Sequence, residues 1–276
     1  MTEYLEEEID TGDPIVVSAF DELSFWSSRF GALLFRHLEL VRGIRILDVG
    51  CGSGFPLFEL AQVHGPSCHV TGIDVSRPAL ERAESKRQTY GLTNIRLVRG
   101  DGARLPFADG EFDLIVSNLG VNNFEDPRAA LGECARVAKP HARIVLTTNL
   151  KGHMRELYAV YHQVLSDLGM SAHFDRLTAN EDHRATKESL GALVEEAGFR
   201  ITRVFEESFE MRFLDGASLL RHFLVRVGFL DGWRKIVDPP QEKAVFAALE
   251  ARMDEVARAT GCLRMTVPAL YVEGAR

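Results

Sequence analysis

The sequence predicts an α/β fold on a mostly parallel sheet, and three observations carry that expectation. Short runs of strand length, rich in apolar residues, recur at residues 44–49, 68–74, 94–102, 112–117 and 143–148. Segments with helical apolar spacing separate most of them, the pattern of strands buried on both faces beneath helices. The first run ends in Gly50-Cys51-Gly52-Ser53-Gly54, a glycine turn from strand to helix.

At 276 residues, 46% hydrophobic and 26% charged, the chain is long and apolar enough to bury a full core. Its formal net charge of -8 speaks against a polyanion-binding surface, so no nucleic-acid partner is expected. The acidic start Met1-Thr2-Glu3-Tyr4-Leu5-Glu6-Glu7-Glu8 is unlike a secretory signal, and no apolar run reaches membrane-spanning length. A cytoplasmic protein without a membrane span is expected. Cys51, Cys68, Cys134 and Cys262 form no Cys-x-x-Cys pair and read as buried free thiols, with no metal site.

Residues 1–13 form an acidic stretch that reads as a solvated, poorly ordered arm. Phe20, Leu23, Phe25, Trp26, Phe30, Leu33, Leu34, Leu38 and Leu40 then recur at helical spacings, with Gly31 a candidate break. After the first strand and turn, Phe55, Leu57, Phe58, Leu60 and Ala61 give a helix that stops at Gly65-Pro66. The turn departs twice from the dinucleotide fingerprint, because Phe55 replaces its third glycine and Asp48 lies just before it. A carboxylate there repels a pyrophosphate and suits a ligand bearing an ammonium and a sulfonium, such as S-adenosylmethionine.

An acid followed by Gly-x-Gly-x-Gly, as in Asp48-Val49-Gly50-Cys51-Gly52-Ser53-Gly54, resembles the nucleotide-binding turn of class I S-adenosylmethionine-dependent methyltransferases. The likeness covers residues 44–150 and is to the group exemplified by ubiquinone and menaquinone biosynthesis. It implies a Rossmann-like, seven-stranded, mostly parallel sheet with an antiparallel last strand. Strands six and seven fall at residues 199–205 and 266–272, and a helix at 187–197 precedes the sixth. Leu105-Pro106-Phe107 also matches the family, whereas Pro140-His141-Ala142 replaces its usual Pro-Gly-Gly turn before the fifth strand.

Asp74 ends the second strand about twenty residues past Gly54, the offset of a ribose-binding carboxylate. Its alternative use is as a helix cap, but Ser76 before Arg77-Pro78 fills that role and leaves Asp74 for the ligand. Val75 would then lie against the adenine. The resemblance puts Asp101 at the adenine amine, and the Gly102 amide suits a ring nitrogen. Asn118, Asn122 and Asn123 follow the fourth strand, where they either face cofactor and acceptor or satisfy local turns. The expected cofactor set is Asp48, Gly50, Cys51, Gly52, Gly54, Asp74, Val75, Asp101, Gly102 and Asn118.

The chain divides in this reading into an N-terminal arm with cap helices (1–41), a cofactor-binding core (42–150), a helical insert (151–185), a core helix and strand (186–206), a second helical insert (207–265) and the last core strand (266–276). The N-terminal helices and the two inserts are expected to form a lid over the cofactor. Trp26 and Phe25 either cover the cofactor or fill core, and Phe209, Phe213, Phe223, Phe229 and Trp233 either line an apolar acceptor pocket or pack between helices. His153, His162, His173 and His183 lack the spacing of a helical zinc motif. His153, soon after the fifth strand, is the candidate base, with Asn123 the other catalytic candidate.

The activity implied is methyl transfer to a small-molecule acceptor, apolar or aromatic, by direct displacement. Ser117-Asn118 lacks the acids that chelate magnesium in catechol-type enzymes, and Asn118-Leu119-Gly120-Val121 lacks the prolines of amino-methylating DNA enzymes. Two alternatives stay open at this point: a nicotinamide-dependent oxidoreductase, which requires glycine where Phe55 stands, and a non-catalytic S-adenosylmethionine-binding protein.

Overall fold

The computed structural model describes residues 3–22 and 25–276. Leu23, part of the N-terminal helical pattern, lies outside them, as do Met1 and Thr2 of the acidic arm. In chain order the elements are helices α1 (Pro14–Glu22) and α2 (Phe25–His37), β1 (Arg45–Val49), α3 (Leu57–His64), β2 (His69–Asp74), α4 (Arg77–Tyr90), β3 (Ile95–Arg99), β4 (Phe112–Asn118), α5 (Pro127–Val137), β5 (Ala138–Asn149), α6 (Arg155–Asp167), α7 (Phe174–Asp182), α8 (Lys187–Glu196), β6 (Arg200–Phe213), α9 (Gly216–Leu220), α10 (Phe223–Val225), α11 (Asp231–Arg234), α12 (Pro239–Thr260) and β7 (Leu263–Ala275). Single 3-10 turns stand at Glu3–Leu5, Gly120–Asn123 and Ser171–His173.

The strands form one seven-stranded sheet in the order β3-β2-β1-β4-β5-β7-β6. The pairs β1–β2, β2–β3, β1–β4 and β4–β5 are parallel, and β7 lies antiparallel to β5. This is the predicted sheet. Ile46, Leu47 and Val49 of β1 and Leu114, Ile115 and Val116 of β4 are buried, which explains why the central strands read as continuous apolar runs. Helix ends follow the chemistry of the sequence: the Ser76 hydroxyl accepts from the Ala79 amide, Gly91 closes α4 in the left-handed region at φ 65, and Asp126 caps α5 through the Ala129 amide.

By compactness the chain divides into two units. One, holding most of the sheet, comprises Gly12–Asn149, Ala185–Glu207 and Ala269–Arg276; the other, mostly helical, comprises Met1–Thr11, Leu150–Arg184 and Ser208–Pro268.

Several boundaries differ from expectation for identifiable reasons. Helix α2 runs through Gly31 without a break, because the Phe55 ring packs where a β-carbon would stand, 2.2 Å from its nearest atom. The acidic arm is ordered at Glu3–Leu5: Tyr4 and Leu5 are buried, Arg221 lies over the Tyr4 ring at 5.1 Å, and Glu6 and Glu7 pair with Lys243 and Arg226. Burial of two apolar side chains offsets the entropy of ordering a short segment that charge patterning alone assigns to solvent. Strand β5 begins at Ala138, ahead of the expected turn, with His141 in the left-handed region at φ 68. Strand β6 continues past Phe205 to Phe213. The helical stretch after it is broken into α9, α10, a π segment at Arg226–Leu230 and α11.

Candidate functional site

The sheet order places β1 between β2 and β4, so the chain turns back on itself there and opens a crevice beyond the carboxyl ends of the strands. A cavity of about 410 Å³ occupies that position, lined by the residues following four successive strands. Gly50 follows β1, Asp74 ends β2 and Val75 follows it, Gly100, Asp101 and Gly102 follow β3, and Gly120, Asn123, Phe124 and Glu125 follow β4. The volume lies in the range of small-molecule sites. Six predicted site residues meet here: Gly50, Asp74, Val75, Asp101, Gly102 and Asn123.

The turn is shaped by backbone bonds. The Gly50 and Cys51 amides both donate to the Ile73 carbonyl, at 2.9 and 3.1 Å, and the Gly54 amide donates to Cys51 at 2.8 Å. Gly54, at φ 106, leaves room for the Phe58 ring, which a β-carbon would meet at 1.9 Å. The Cys51 side chain points away from the cavity's bare backbone and packs on Gly72, where an added β-carbon would lie 2.8 Å from its sulfur. Burial, reinforced by Asp48 and Asp74, pushes its thiol pKa well up. All four cysteines are buried and free.

Asp48, at the end of β1, is fully buried, and neither carboxyl oxygen has a hydrogen-bond partner among the described residues. Burial first, and the neighbouring Asp74 charge second, push its pKa up to about 8, and the Leu57 amide, outside ordinary hydrogen-bond geometry, pulls the other way. A buried acid left without a partner is costly. The arrangement fits a cationic ligand that supplies the missing charge.

Asp74 is not as free as the sequence reading holds, because its carboxylate accepts from the Gly52 amide and the Ser76 amide, each at 2.8 Å. Those bonds fix its orientation while each oxygen keeps a further lone pair. Val75 is exposed beside it. Asp101 is exposed and accepts from the Ala103 amide at 2.9 Å.

Apart from Asn123, the remaining candidates lie outside the cavity lining. Asn118 is buried, accepting from the Thr147 hydroxyl at 2.6 Å and donating to the Ser27 carbonyl at 3.4 Å. Asn122 donates to Asn149, and Asn123 donates to the Leu119 carbonyl at 3.0 Å. His153 belongs to the helical unit, buried beside Phe229 at 5.1 Å between ring centroids. Burial, followed by the charges of Arg184 and His183, holds its pKa well below the ordinary value, so it is neutral at pH 7. His162 stacks on Phe174, and Trp26 packs edge-on against Phe30. Phe229 stacks on Trp233, whose indole donates to Tyr158 at 3.3 Å.

Sequence reasoning passed over Gly120, Phe124 and Glu125 as cavity walls. Gly120 carried a signal in hindsight, since it stands in the loop after β4 with no turn requirement of its own. A β-carbon there would meet the Ser117 hydroxyl at 2.3 Å and the Val49 carbonyl at 2.9 Å, two atoms that are themselves hydrogen-bonded. Gly120→Ala is therefore expected to destabilise the protein by about 1–3 kcal/mol, read from urea denaturation.

The helical unit has a larger cavity, about 740 Å³, bordered by the arm and the chain around Arg226–Glu242. Its cations Arg176, Arg226, Arg234 and Lys235 are each paired to a carboxylate, and none of the predicted site residues lines it. No helix among the described residues is long and apolar enough to cross a membrane.

Comparison with known proteins agrees with this geometry. The family model described as a methyltransferase domain matches residues 40–198. A demethylmenaquinone methyltransferase of Staphylococcus aureus is 30% identical over 197 residues, 68% of this chain and 79% of that protein. Among solved structures, a SAM-dependent methyltransferase from Aquifex aeolicus is 25% identical with a TM-score of 0.53, over 70% of this chain and 91% of that one. The YcgJ protein of Bacillus subtilis has a TM-score of 0.59 at 20% identity, over 90% and 98% of the two chains, and shares the fold. These matches set aside the nicotinamide-dependent and non-catalytic alternatives: the chain belongs to the methyltransferase domain family and is a class I S-adenosylmethionine-dependent methyltransferase, with S-adenosylmethionine as its cofactor.

Proposed function

We propose that the protein, acting in the cytoplasm, transfers the methyl group to a small apolar or aromatic acceptor by direct displacement, with the cofactor held in the cavity beyond β1–β4. One observation carries the placement: a buried, unpartnered Asp48 lies at the end of the strand whose glycine turn borders a cavity walled by Asp74, Asp101 and Gly102. When bound, S-adenosylmethionine supplies a methyl group on a positively charged sulfur, activated toward nucleophiles. Asp48 offsets that positive charge, Asp74 accepts from the ribose hydroxyls, and Asp101 with the Gly102 amide reads the adenine edge. Gly50, Gly52 and Gly54 keep the turn low enough for backbone to approach the ligand, with Cys51 packing beneath it and Val75 against the adenine. Asn118, anchored by Thr147 and Ser27, steadies the loop that carries Asn123.

We assign the role of base toward an oxygen acceptor to His153, which is neutral and packs beside Phe229. A neutral imidazole accepts a proton from an acceptor hydroxyl as the new bond forms. An aromatic acceptor also accords with the relative named for demethylmenaquinone. The test is transfer of labelled methyl to a panel of phenols and hydroquinones, polar amines and RNA. Labelling of the phenols or hydroquinones is expected; labelling confined to amines or RNA contradicts the proposal. His153→Gln is expected to lower kcat about a hundredfold for an oxygen acceptor, with the affinity for S-adenosylmethionine changed less than about twofold.

A further inference from the structure

Helix α1 has no buried residue, with Ile15 77% exposed and Phe20 36% exposed. A helix this short is not stable by propensity alone, so its position depends on specific contacts. Its side-chain hydrogen bonds to the turn and to α4 converge on Asp21 in its last turn. The Asp21 carboxylate accepts from the Ser53 hydroxyl at 2.6 Å, from Lys86 at 2.7 Å and from Arg82 at 3.0 Å. Arg82 and Lys86 are four residues apart on α4 and so share one face of it.

Ser53 sits inside the glycine turn, between Gly52, whose amide is bonded to Asp74, and Gly54, whose amide is bonded to Cys51. One carboxylate thus ties α1 to the turn and ties both to the helix that follows β2. The turn is gripped a second time where the Phe55 ring packs on Gly31 of α2. The second grip is apolar, whereas the first rests on charge. Burial works to raise the pKa of Asp21, yet Lys86, Ser53 and Arg82 together hold it below the ordinary value, so the latch stays ionised at neutral pH.

We propose that Asp21 is a positioning residue for the cofactor: it latches α1 onto the glycine turn, keeps the Gly52 amide presented to Asp74, and slows cofactor release. This rests on the placement of S-adenosylmethionine on that turn. Unlike a contact that only stabilises the fold, a latch of this kind acts on the lifetime of the bound ligand and weakens with salt.

The test uses the full chain and S-adenosylhomocysteine as probe, with affinity from calorimetry and dissociation from stopped flow. Asp21→Asn, of the same size as the native residue, is expected to weaken binding about tenfold, almost entirely through faster dissociation. Its dissociation should no longer respond to salt, whereas that of the wild type should. Ser53→Ala is expected to shift dissociation in the same direction, the double variant to add little, and Asp21→Glu to restore part of the loss. The ligand-free thermal midpoint of each variant should stay within about 3 °C of wild type. Unchanged dissociation in both single variants, beside a wild type that binds, overturns the latch; so does a loss of affinity that only follows loss of folded protein. A wild type that fails to bind S-adenosylhomocysteine contradicts the cofactor placement itself and takes the latch with it.

Discussion

Asp48→Asn is expected to stabilise the ligand-free protein at alkaline pH and to weaken its hold on the methyl donor. The native carboxyl titrates at about 8 instead of near its ordinary 3.8, because it is buried and faces Asp74. A pKa raised on folding means that the native state holds the proton more tightly than the unfolded chain. The contribution of Asp48 to stability is therefore full below about pH 4, falls as pH rises, and levels off above about pH 8. At roughly 1.4 kcal/mol per pKa unit the accumulated loss at pH 8 is on the order of 5 kcal/mol.

Asparagine removes this titration but leaves a buried amide without partners, at a cost of about 1–3 kcal/mol. The variant should thus match or fall below wild type near pH 4 and exceed it by on the order of 2 kcal/mol at pH 8, with the curves crossing between. Urea denaturation across that range reads the difference directly. A parallel pair of curves contradicts the burial account.

Binding reports on the same group. A cationic ligand favours the ionised carboxyl, so S-adenosylmethionine is expected to expel close to one proton at pH 7. The apparent calorimetric enthalpy should then depend on the ionisation enthalpy of the buffer. In Asp48→Asn that dependence should vanish, with affinity lower by about tenfold or more.

Asp74→Ala carries the second large effect. Hydrogen bonds from a ligand to a charged group contribute roughly 1.5–3 kcal/mol, so its loss should weaken S-adenosylmethionine binding by about tenfold to a hundredfold or more. Because Asp74 also receives the Gly52 and Ser76 amides, alanine loosens the turn as well as removing the ribose contact. Asp74→Asn keeps a carbonyl oxygen for one of those amides and separates the two contributions. Removing the Asp74 charge should also lower the pKa of Asp48 and shrink the proton release seen on binding. Unchanged affinity in Asp74→Ala contradicts the ribose role.

The central sheet was legible because its strands are buried on both faces, so Ile46, Leu47 and Val49 or Leu114, Ile115 and Val116 have no polar alternation to hide them. Ser76, Gly91 and Asp126 likewise announced helix ends through local chemistry. Long-range contacts were less legible. Gly31 reads as a helix break in isolation and becomes a packing site only when Phe55 arrives from the turn. Tyr4 and Leu5 are apolar punctuation in an acidic arm until partners such as Arg221, Lys243 and Arg226 meet that arm from far along the chain.

For the site, the offset past Gly54 singles out Asp74, and Asp74 and Asp101 both line the cavity, since each stands at the carboxyl end of a strand in a parallel sheet. Phe124 and Glu125 carried no pattern of their own. The partners of Asn118 and the latch around Asp21 required distances, because hydrogen bonds to Thr147, Ser27 and Ser53 span stretches of chain that no local motif links.

Side-by-side calorimetric titration of the wild-type chain with S-adenosylmethionine and NADH tests the central claim most directly, repeated with Asp74→Ala. Saturable binding of S-adenosylmethionine, accompanied by proton release and weakened in the variant, with no binding of NADH, is the predicted result. Preferential binding of NADH, or S-adenosylmethionine binding that is indifferent to Asp74, would contradict it.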